Sequence, residues 1–250
     1  PPTATAYPTP LLYPPVPTGT IQGRLLVQES SGGNIYTVNG DGSNLTHVTA
    51  GIDPAWSPDG KRIAFTRWSN PAGVYIANAD GSNEQMVYSS LQVLSPQWSP
   101  DSNRLVFTRQ SGGTNDSQFC FGRVCFSFAG DQYWRLKLVN VNDRSVFDPS
   151  SSTHSFAPTF NPDNHTIAYS DGQFGILTTD ANGGAPSLIF NQNPAVQSSL
   201  YSPDGSKIVF EVKQHDHWEI NVMNADGGNV VALTHATSAH LTFASWLSNG

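Results

Sequence analysis

The sequence has 250 residues, enough for one or two average domains, and its composition narrows the choice of fold class. Charged residues make up 12% of the chain, about half the usual share, beside 22 Gly, 18 Pro and 6 Trp. Exposed helix faces need charged residues, so the composition excludes a predominantly helical fold. The formal net charge of −7, with 12 Lys plus Arg, argues against binding nucleic acid or anionic lipid through a basic patch.

The first 22 residues differ from the rest of the chain. Residues 1–22 hold seven prolines and no charged side chain, a composition that favours an extended polyproline II arm or stalk. Its apolar residues Leu11, Leu12 and Tyr13 are the expected docking point, either on the same domain or on a neighbouring subunit. No apolar run approaches the roughly 20 residues that cross a bilayer, so we expect no transmembrane segment in this chain. We expect any export signal to have been removed or to lie outside these residues.

The remainder, residues 23–250, repeats an aromatic residue followed by a turn. The motif recurs every 41–45 residues, except for one interval of 62 residues. Its five copies begin at Trp56, Trp98, Phe160, Tyr201 and Trp246. Short β-rich runs follow these turns, and a second set of runs ends in Asn/Asp/Gly turns. Such runs and turns predict four antiparallel strands in each repeat.

The clearest copy begins at Trp56 and reads Trp-Ser-Pro-Asp-Gly-Lys-Arg-Ile-Ala-Phe-Thr, followed from Val74 by Val-Tyr-Ile-Ala-Asn-Ala-Asp-Gly-Ser. This pattern resembles the TolB-type β-propeller repeat, which is related in architecture to WD repeats. The resemblance covers residues 23–250, and its third copy, with Asn-Pro-Asp-Asn after Phe160, is degenerate. It implies an all-β propeller. Because TolB-like proteins are typically periplasmic interaction modules in envelope complexes, it also favours binding over catalysis.

The number of repeats departs from the six blades that are usual in that family. Five aromatic motifs predict a propeller of five four-stranded blades, with a six-bladed ring as the alternative. Residues 24–30 resemble the second strand of a blade that has no inner strand before it. We therefore expect an inner strand at residues 242–246 to complete the three N-terminal strands and close the ring.

The repeated residues have a structural interpretation. One large aromatic residue per blade is expected to fill the space between blades. The aspartates of the turns are expected to accept backbone N–H groups rather than to bind calcium. These aspartates are Asp41, Asp59, Asp80, Asp101, Asp163, Asp204 and Asp226.

The predicted inner strands offer few groups for catalysis. Asp53 is the one acidic residue in these segments, whereas a glycosidase needs a second carboxylate at a defined separation. The Gly-x-Ser-x-Gly elbow of a prolyl-oligopeptidase-like hydrolase is absent from the sequence. The sequence therefore predicts no catalytic residue and no cofactor.

The long interval marks an insertion at residues 110–134, between the two middle strands of one repeat. We expect Cys120 and Cys125 within it to form a disulfide, because two such ligands without a second pair make a poor metal site. The aromatic residues of the insertion either cover the channel mouth, form an adhesive patch for another protein, or provide a carbohydrate platform. The candidate interaction residues of the whole chain are Leu11, Leu12, Tyr13, Trp68, Phe119, Phe121, Phe126, Phe128 and Trp134.

Histidines and glycosylation sequons give weaker signals. Four histidines are expected on the same face as the insertion, but their spacing matches no established metal motif, so no metal site is assigned. They are His215, His217, His235 and His240. Three Asn-x-Ser/Thr sequons are candidate N-glycosylation sites. They begin at Asn44, Asn115 and Asn164.

Together these features favour a non-enzymatic, extracytoplasmic β-propeller that acts as a protein–protein interaction module. The arm at residues 1–22 would dock on an adjacent subunit of a cell-surface assembly or filament. The partners would be proteins, either further copies of this chain or an envelope complex, with a glycan as another partner class. Two alternatives stay open. One is a carbohydrate-binding or carbohydrate-active propeller, and the other is an extracellular sensor domain of a membrane-anchored protein.

Overall fold

The computed structural model describes most of the chain from Gly23 onward. The described residues are 23–69, 71–113, 117–121, 124–128, 132–172, 175–191, 195–235, 241 and 244–246. For residues 113, 117–121 and 124–128, only the backbone is described. The arm predicted at residues 1–22 lies outside the described residues.

All regular secondary structure in the described residues is β-strand. In chain order the strands are β1 (Arg24–Gln28), β2 (Asn34–Asn39), β3 (Thr46–Ala50), β4 (Ile52–Trp56), β5 (Arg62–Arg67), β6 (Gly73–Asn78), β7 (Gln85–Ser89), β8 (Val93–Trp98), β9 (Arg104–Gly113), β10 (Ser117–Phe121), β11 (Val124–Phe128), β12 (Gln132–Asn140), β13 (Val146–Phe147), β14 (Ser155–Phe160), β15 (Thr166–Asp171), β16 (Gly175–Asp180), β17 (Ser187–Phe190), β18 (Val196–Tyr201), β19 (Lys207–Gln214), β20 (His217–Asn224) and β21 (Val231–Ala232). A search of the described residues finds no candidate for a membrane-spanning helix.

The described strands form five antiparallel sheets and one separate hairpin. Blade 1 is the three-stranded sheet β1–β2–β3. Blades 2 to 5 have four strands each, in the orders β4–β5–β6–β7, β8–β9–β12–β13, β14–β15–β16–β17 and β18–β19–β20–β21. Successive inner strands β4, β8, β14 and β18 pack side by side, and β1 packs against β4. The five sheets therefore form the blades of a propeller, which confirms the predicted fold class.

Apolar side chains of the second and third strands fill the junctions between blades. At the junction of blades 1 and 2, Ile63 and Phe65 pack against Ile35 and Val48. Three further clusters of this kind lie at the junctions of blades 2 and 3, 3 and 4, and 4 and 5. Removing this apolar surface from water is the main force that holds successive blades together.

The repeated aromatic residues belong to these junctions. Trp98 is buried between blades 2 and 3, and its indole N–H donates a hydrogen bond to the carbonyl oxygen of Ala55 at 3.2 Å. The guanidinium group of Arg62 lies 4.8 Å from the centroid of the Trp98 ring. Phe160 and Tyr201 are buried in the next two junctions. The predicted structural role of these aromatic residues is confirmed.

Aspartate side chains fix the turns that follow the inner strands. Asp204 accepts hydrogen bonds from the Ser202 hydroxyl at 2.6 Å and from the Ser206 N–H at 3.0 Å. These bonds lower the pKa of Asp204 to about 2, because they stabilise the charged carboxylate. The other predicted turn aspartates also accept a backbone N–H, as the sequence indicates. They are Asp41, Asp59, Asp80, Asp101, Asp163 and Asp226.

Each of the four inner strands carries a β-bulge at the same place. In blade 2, Ile52 pairs with Thr66 and Ala55 pairs with Ala64, so two residues of β4 face one residue of β5. The same shift occurs in blades 3, 4 and 5. The first bulged residue has a positive φ of 46–55° in every case. These residues are Asp53, Ser95, Ala157 and Ser198.

The insertion extends the two middle strands of blade 3 and adds a hairpin. β9 and β12 run past the ends of their counterparts, and β10 pairs with β11 beyond them. In this hairpin the backbone of Cys120 lies directly opposite that of Cys125. Opposite Cα atoms of an antiparallel pair are about 4.5–5.5 Å apart, within the range of a disulfide. The register is compatible with the disulfide, which stays a prediction.

The C-terminal residues 244–246 lie beside blade 5. The Trp246 indole N–H donates to the carbonyl oxygen of Leu200 at 3.1 Å, which repeats the contact of Trp98 with Ala55 in blade 2. Trp246 therefore occupies the inner position that was predicted for the closing strand. Residues 242 and 243 lie outside the described residues, so the pairing of this strand with β1 stays a prediction.

Candidate functional site

The inner strands surround a cavity of about 360 Å³ at the centre of the ring. All four bulged residues contribute to its wall, and Ala244 contributes from the C-terminal segment. Most of the lining side chains are small and neutral, such as Ser95 and Ser199. The side-chain oxygen of Ser199 is buried and has no hydrogen-bond partner among the described residues. The channel therefore offers hydroxyl groups more than charges to a ligand.

Asp53 is the acidic side chain that lines this channel in the described structure. Its Oδ2 accepts a hydrogen bond from the backbone N–H of Ser95 at 2.9 Å. Both residues are the bulged positions of their strands, so the bond joins the bulges of blades 2 and 3. This arrangement gives the carboxylate a structural task in holding two inner strands together.

A second cavity, of about 320 Å³, lies where the inner strands of blades 3 to 5 begin, a side that we call the upper face. Trp218, Thr108 and Ser170 line it. The Ser170 hydroxyl oxygen is buried and has no hydrogen-bond partner in the described part of the chain. The Gln197 side-chain amide donates to Glu211 at 2.7 Å and is thereby fixed in the wall. An aromatic side chain beside the unpartnered hydroxyl group of Ser170 suits a polar ligand.

The insertion also belongs to the upper face. β9 runs antiparallel to β8, so it ends where β8 begins, and the hairpin β10–β11 continues from that end. Trp134 is half-buried and packs on Phe156 of blade 4, with ring centroids 5.9 Å apart. The aromatic residues of the hairpin have described backbones, and their side chains lie outside the description. Those residues are Phe119, Phe121, Phe126 and Phe128.

The remaining candidate interaction residues fall in two places. Trp68 is exposed, and its indole N–H donates to the carbonyl oxygen of Val93 at 2.8 Å, which holds the ring against blade 3. Leu11, Leu12 and Tyr13 lie outside the described residues. The structure thus brings Trp134 and the hairpin to one face, and it leaves their role in binding as a prediction.

The histidines do not form a common site in the described residues. His217 is buried, with one ring nitrogen 3.1 Å from Asp216 and the other 3.2 Å from Glu219. The hydrogen bond to Asp216 raises the pKa of His217, and the bond to Glu219 adds to this effect. His215 and His235 are exposed, and His240 lies outside the described residues. No cluster of three metal-ligating side chains occurs in the described part of the chain.

The sequons differ in accessibility. Asn44 is exposed, with a positive φ of 54°, in the loop between β2 and β3. The Asn164 amide donates to Asp101 at 3.0 Å, and its side-chain oxygen is buried, so a glycan there would break an existing contact. Asn115 lies outside the described residues. Asn44 is therefore the described sequon whose geometry suits N-glycosylation.

Sequence reasoning missed two features of the site. The residues Ser170 and Trp218 carry no motif, and only the register of β15 and β20 brings them to one cavity. Three of the four bulged residues, Asp53, Ser95 and Ala157, precede prolines, which ordinarily disfavour left-handed backbone at the preceding position. The proline that recurs in three of the inner segments, directly after the first bulged residue, is the signal that could have indicated the bulges.

Comparison with solved structures finds the same architecture in known proteins. TolB from Acinetobacter baumannii has a TM-score of 0.65 and 16% identity, covering 86% of this chain and 54% of that one. A protein assigned as TolB from Agrobacterium tumefaciens has a TM-score of 0.65 and 19% identity, covering 84% of this chain and 76% of that one. An oligogalacturonate lyase in complex with manganese has a TM-score of 0.60 and 13% identity, covering 81% of this chain and 59% of that one.

These comparisons define the fold. No family model matches the sequence. The chain has the TolB-like β-propeller fold that its repeats predict, and it spans about half the length of the Acinetobacter protein. Propellers of this fold include TolB and a lyase, so the fold by itself does not decide between binding and catalysis.

Proposed function

We propose that this protein is a non-enzymatic, extracytoplasmic β-propeller that binds protein partners and assembles with further copies of itself through its N-terminal arm. The observation that carries the proposal is the hydrogen bond that the Asp53 carboxylate accepts from the neighbouring blade. Asp53, the acidic group that lines the channel in the described part of the chain, accepts the Ser95 N–H at 2.9 Å and ties two blades together. A carboxylate with this task supports a scaffold role for the ring, and the TolB-like fold supports protein partners.

Two features support a location outside the cytoplasm. The backbones of Cys120 and Cys125 lie opposite each other in β10 and β11, the register that a disulfide across this hairpin would use. Disulfides persist in oxidising compartments. Asn44 is also exposed, in the loop between β2 and β3, as an N-glycosylation site requires.

The arm at residues 1–22 is the part of the chain that would drive assembly. It is uncharged and rich in proline, so it loses little conformational entropy when it binds in an extended form. We expect deletion of residues 1–22 to abolish assembly and to leave a folded monomer. Light scattering would measure the particle mass, and circular dichroism would check the fold.

A matched control separates the sequence of the arm from its length. In this control, a Gly/Ser linker of the same length replaces residues 1–22, and we expect it to be monomeric like the deletion. An unchanged particle size after the deletion would contradict the assembly role. Assembly that survives in the Gly/Ser control would show that the arm acts only as a spacer.

A second candidate function is carbohydrate binding at the upper face. The cavity beside Trp218 contains the unpartnered hydroxyl group of Ser170, and stacking on an aromatic ring with nearby hydroxyl groups is how proteins commonly hold a sugar. Binding to a glycan array that is lost in Trp218→Ala would favour this function. Turnover of a glycan that is lost in Asp53→Asn would favour a carbohydrate-active enzyme.

A further inference from the structure

The junction between blades 5 and 1 is built differently from the other four. The cation–π contacts of the repeat fix which positions correspond. Arg24 of β1 lies 5.3 Å from the ring centroid of Trp56, as Arg62 of β5 lies 4.8 Å from that of Trp98. β1 of blade 1 is therefore equivalent to β5 of blade 2, residue by residue.

Two apolar residues of β1 are exposed to solvent, whereas the equivalent residues of β5 are buried. Leu25 corresponds to Ile63, because each lies one position after its arginine. Val27 corresponds to Phe65, because each lies three positions after it. Ile63 and Phe65 are fully buried against the preceding blade, whereas Leu25 is 56% exposed and Val27 is 42% exposed. The face that blade 1 turns toward blade 5 thus lacks the cover that the repeat provides elsewhere.

The space around the glycines of the Asn/Asp/Gly turns also differs between blade 1 and the other blades. A methyl group at Gly81 would overlap the carbonyl oxygen of Val48, and one at Gly227 would overlap that of Ile189. Both oxygens belong to the outer strand of the preceding blade. The equivalent Gly42 of blade 1 has open space around it. Blade 5 therefore does not reach blade 1 at this turn.

An apolar residue at the outer edge of blade 5 is exposed as well. Leu233 follows β21 directly and occupies the place that Val48 has in β3 and Val87 has in β7. Val48 and Val87 are buried, whereas Leu233 is 56% exposed. We define the seam as Leu25, Val27 and Gly42 of blade 1 together with Leu233 of blade 5.

The hydrogen bonds between inner strands agree with an incomplete junction. The indole groups of Trp98 and Trp246 each donate to the carbonyl of the residue before the preceding aromatic. By this pattern Trp56 would donate to Ser245. The Trp56 nitrogen is buried and has no partner among the described residues. Residues 244–246 lie beside the inner strand of blade 5, and among the described residues Leu25, Val27 and Leu233 are exposed.

The N-terminal arm is the segment of this chain that suits the seam. The 22 residues join directly to Gly23, next to β1, and they carry no charge. Leu11, Leu12 and Tyr13 form their apolar cluster. Leucine and valine side chains on both walls favour an apolar occupant, because contact removes both surfaces from water.

The sequence between this cluster and β1 favours a second copy as the donor. Residues 14–17 include three prolines, a composition that favours an extended stretch of about 12 Å at about 3.1 Å per residue between Tyr13 and residue 18. To reach Leu25 of its own chain, the arm has to reverse its direction within residues 18–22. The seam of a neighbouring copy requires no such reversal.

We propose that the seam is an interaction surface that takes residues 11–13 from the arm of a second copy of this chain. The inference rests on the proposed assembly role and names the surface that serves it. Each copy then presents one donor and one acceptor. Two copies can exchange arms, and a longer series of copies can form a filament.

Light scattering over a dilution series of the full chain tests the proposal. The variant L11S/L12S removes the apolar cluster, and L25S/V27S makes the seam polar. The control Leu91→Ser changes a leucine that is 80% exposed and lies outside the seam. We expect the full chain and the control to associate, and each double variant to need at least a tenfold higher concentration. Thermal unfolding checks that all variants fold.

A one-to-one mixture of the two double variants decides between docking within a chain and between chains, since each supplies the half that the other lacks. The proposal predicts mixed dimers of twice the monomer mass. A mixture that stays monomeric would overturn it. If L11S/L12S dissociates but L25S/V27S still associates, the arm uses another surface and only the seam is wrong. A full chain that is monomeric at every concentration would contradict both the seam and the assembly role.

Discussion

Replacing Trp98 with alanine will lower the free energy of unfolding by about 3–5 kcal/mol. The side chain is 6% exposed, donates to Ala55 in blade 2, and carries the Arg62 guanidinium on its ring. The substitution removes both contacts and leaves a cavity between two blades. Urea unfolding followed by circular dichroism would measure the loss.

Trp68→Ala is the matched control for this substitution. Trp68 is the same residue type, but it is 47% exposed and makes one hydrogen bond to the backbone of Val93. We expect its replacement to lower the free energy of unfolding by about 1 kcal/mol or less. Equal losses from the two substitutions would contradict the role of the repeated aromatic residues as the packing between blades.

Gly227→Ala will also be severe. Gly227 has a φ of 89°, where an L-residue is strained, and a methyl group there would overlap the carbonyl oxygen of Ile189 in blade 4. Strain and overlap together are expected to lower the free energy of unfolding by about 2–5 kcal/mol. The midpoint of urea unfolding is the measurement.

Gly42→Ala is the control that isolates the contact between blades. Gly42 has a φ of 82°, so the backbone strain is matched, and nothing lies near the added methyl group. We expect a loss of about 1–2 kcal/mol from strain alone. If Gly42→Ala is as damaging as Gly227→Ala, blade 5 packs on blade 1 in solution and the seam does not exist.

Much of the fold could be predicted from the sequence because the repeat carries local information. A Ser-Pro-Asp turn needs its aspartate as an acceptor, and Asp204 accepts two hydrogen bonds in such a turn. A large aromatic residue once per repeat needs a buried place, and Trp98 has one. Both features depend on residues that are close in sequence or periodic along it.

Other features depend on neighbours that local patterns do not specify. The sequence gives no reason for Leu25 and Val27 to be exposed, since the equivalent Ile63 and Phe65 are buried. Their exposure accompanies the open space around Gly42, at the turn where Gly81 and Gly227 touch the preceding blade. The positive φ of Ser95 runs against the preference of a residue before proline, and it arises where the strand bulges toward the channel.

The candidate site could be predicted only where a local signal in the sequence marks it. The insertion was found as a break in the repeat, and it does extend β9 and β12 on the upper face. The acidic group of the channel was found by its position before the aromatic residue, and Asp53 does line the channel. The cavity beside Trp218 joins residues of three blades, so no single segment of the sequence indicates it.

The most direct test of the account asks what residue 13 touches. Tyr13→p-benzoylphenylalanine would be placed in the full chain, and copies labelled with ¹⁵N would be mixed with unlabelled copies before irradiation. The account predicts cross-links from position 13 of one copy to β1 or Leu233 of a copy with the other label. Cross-links confined to a single copy, or directed to residues away from the seam, would contradict it.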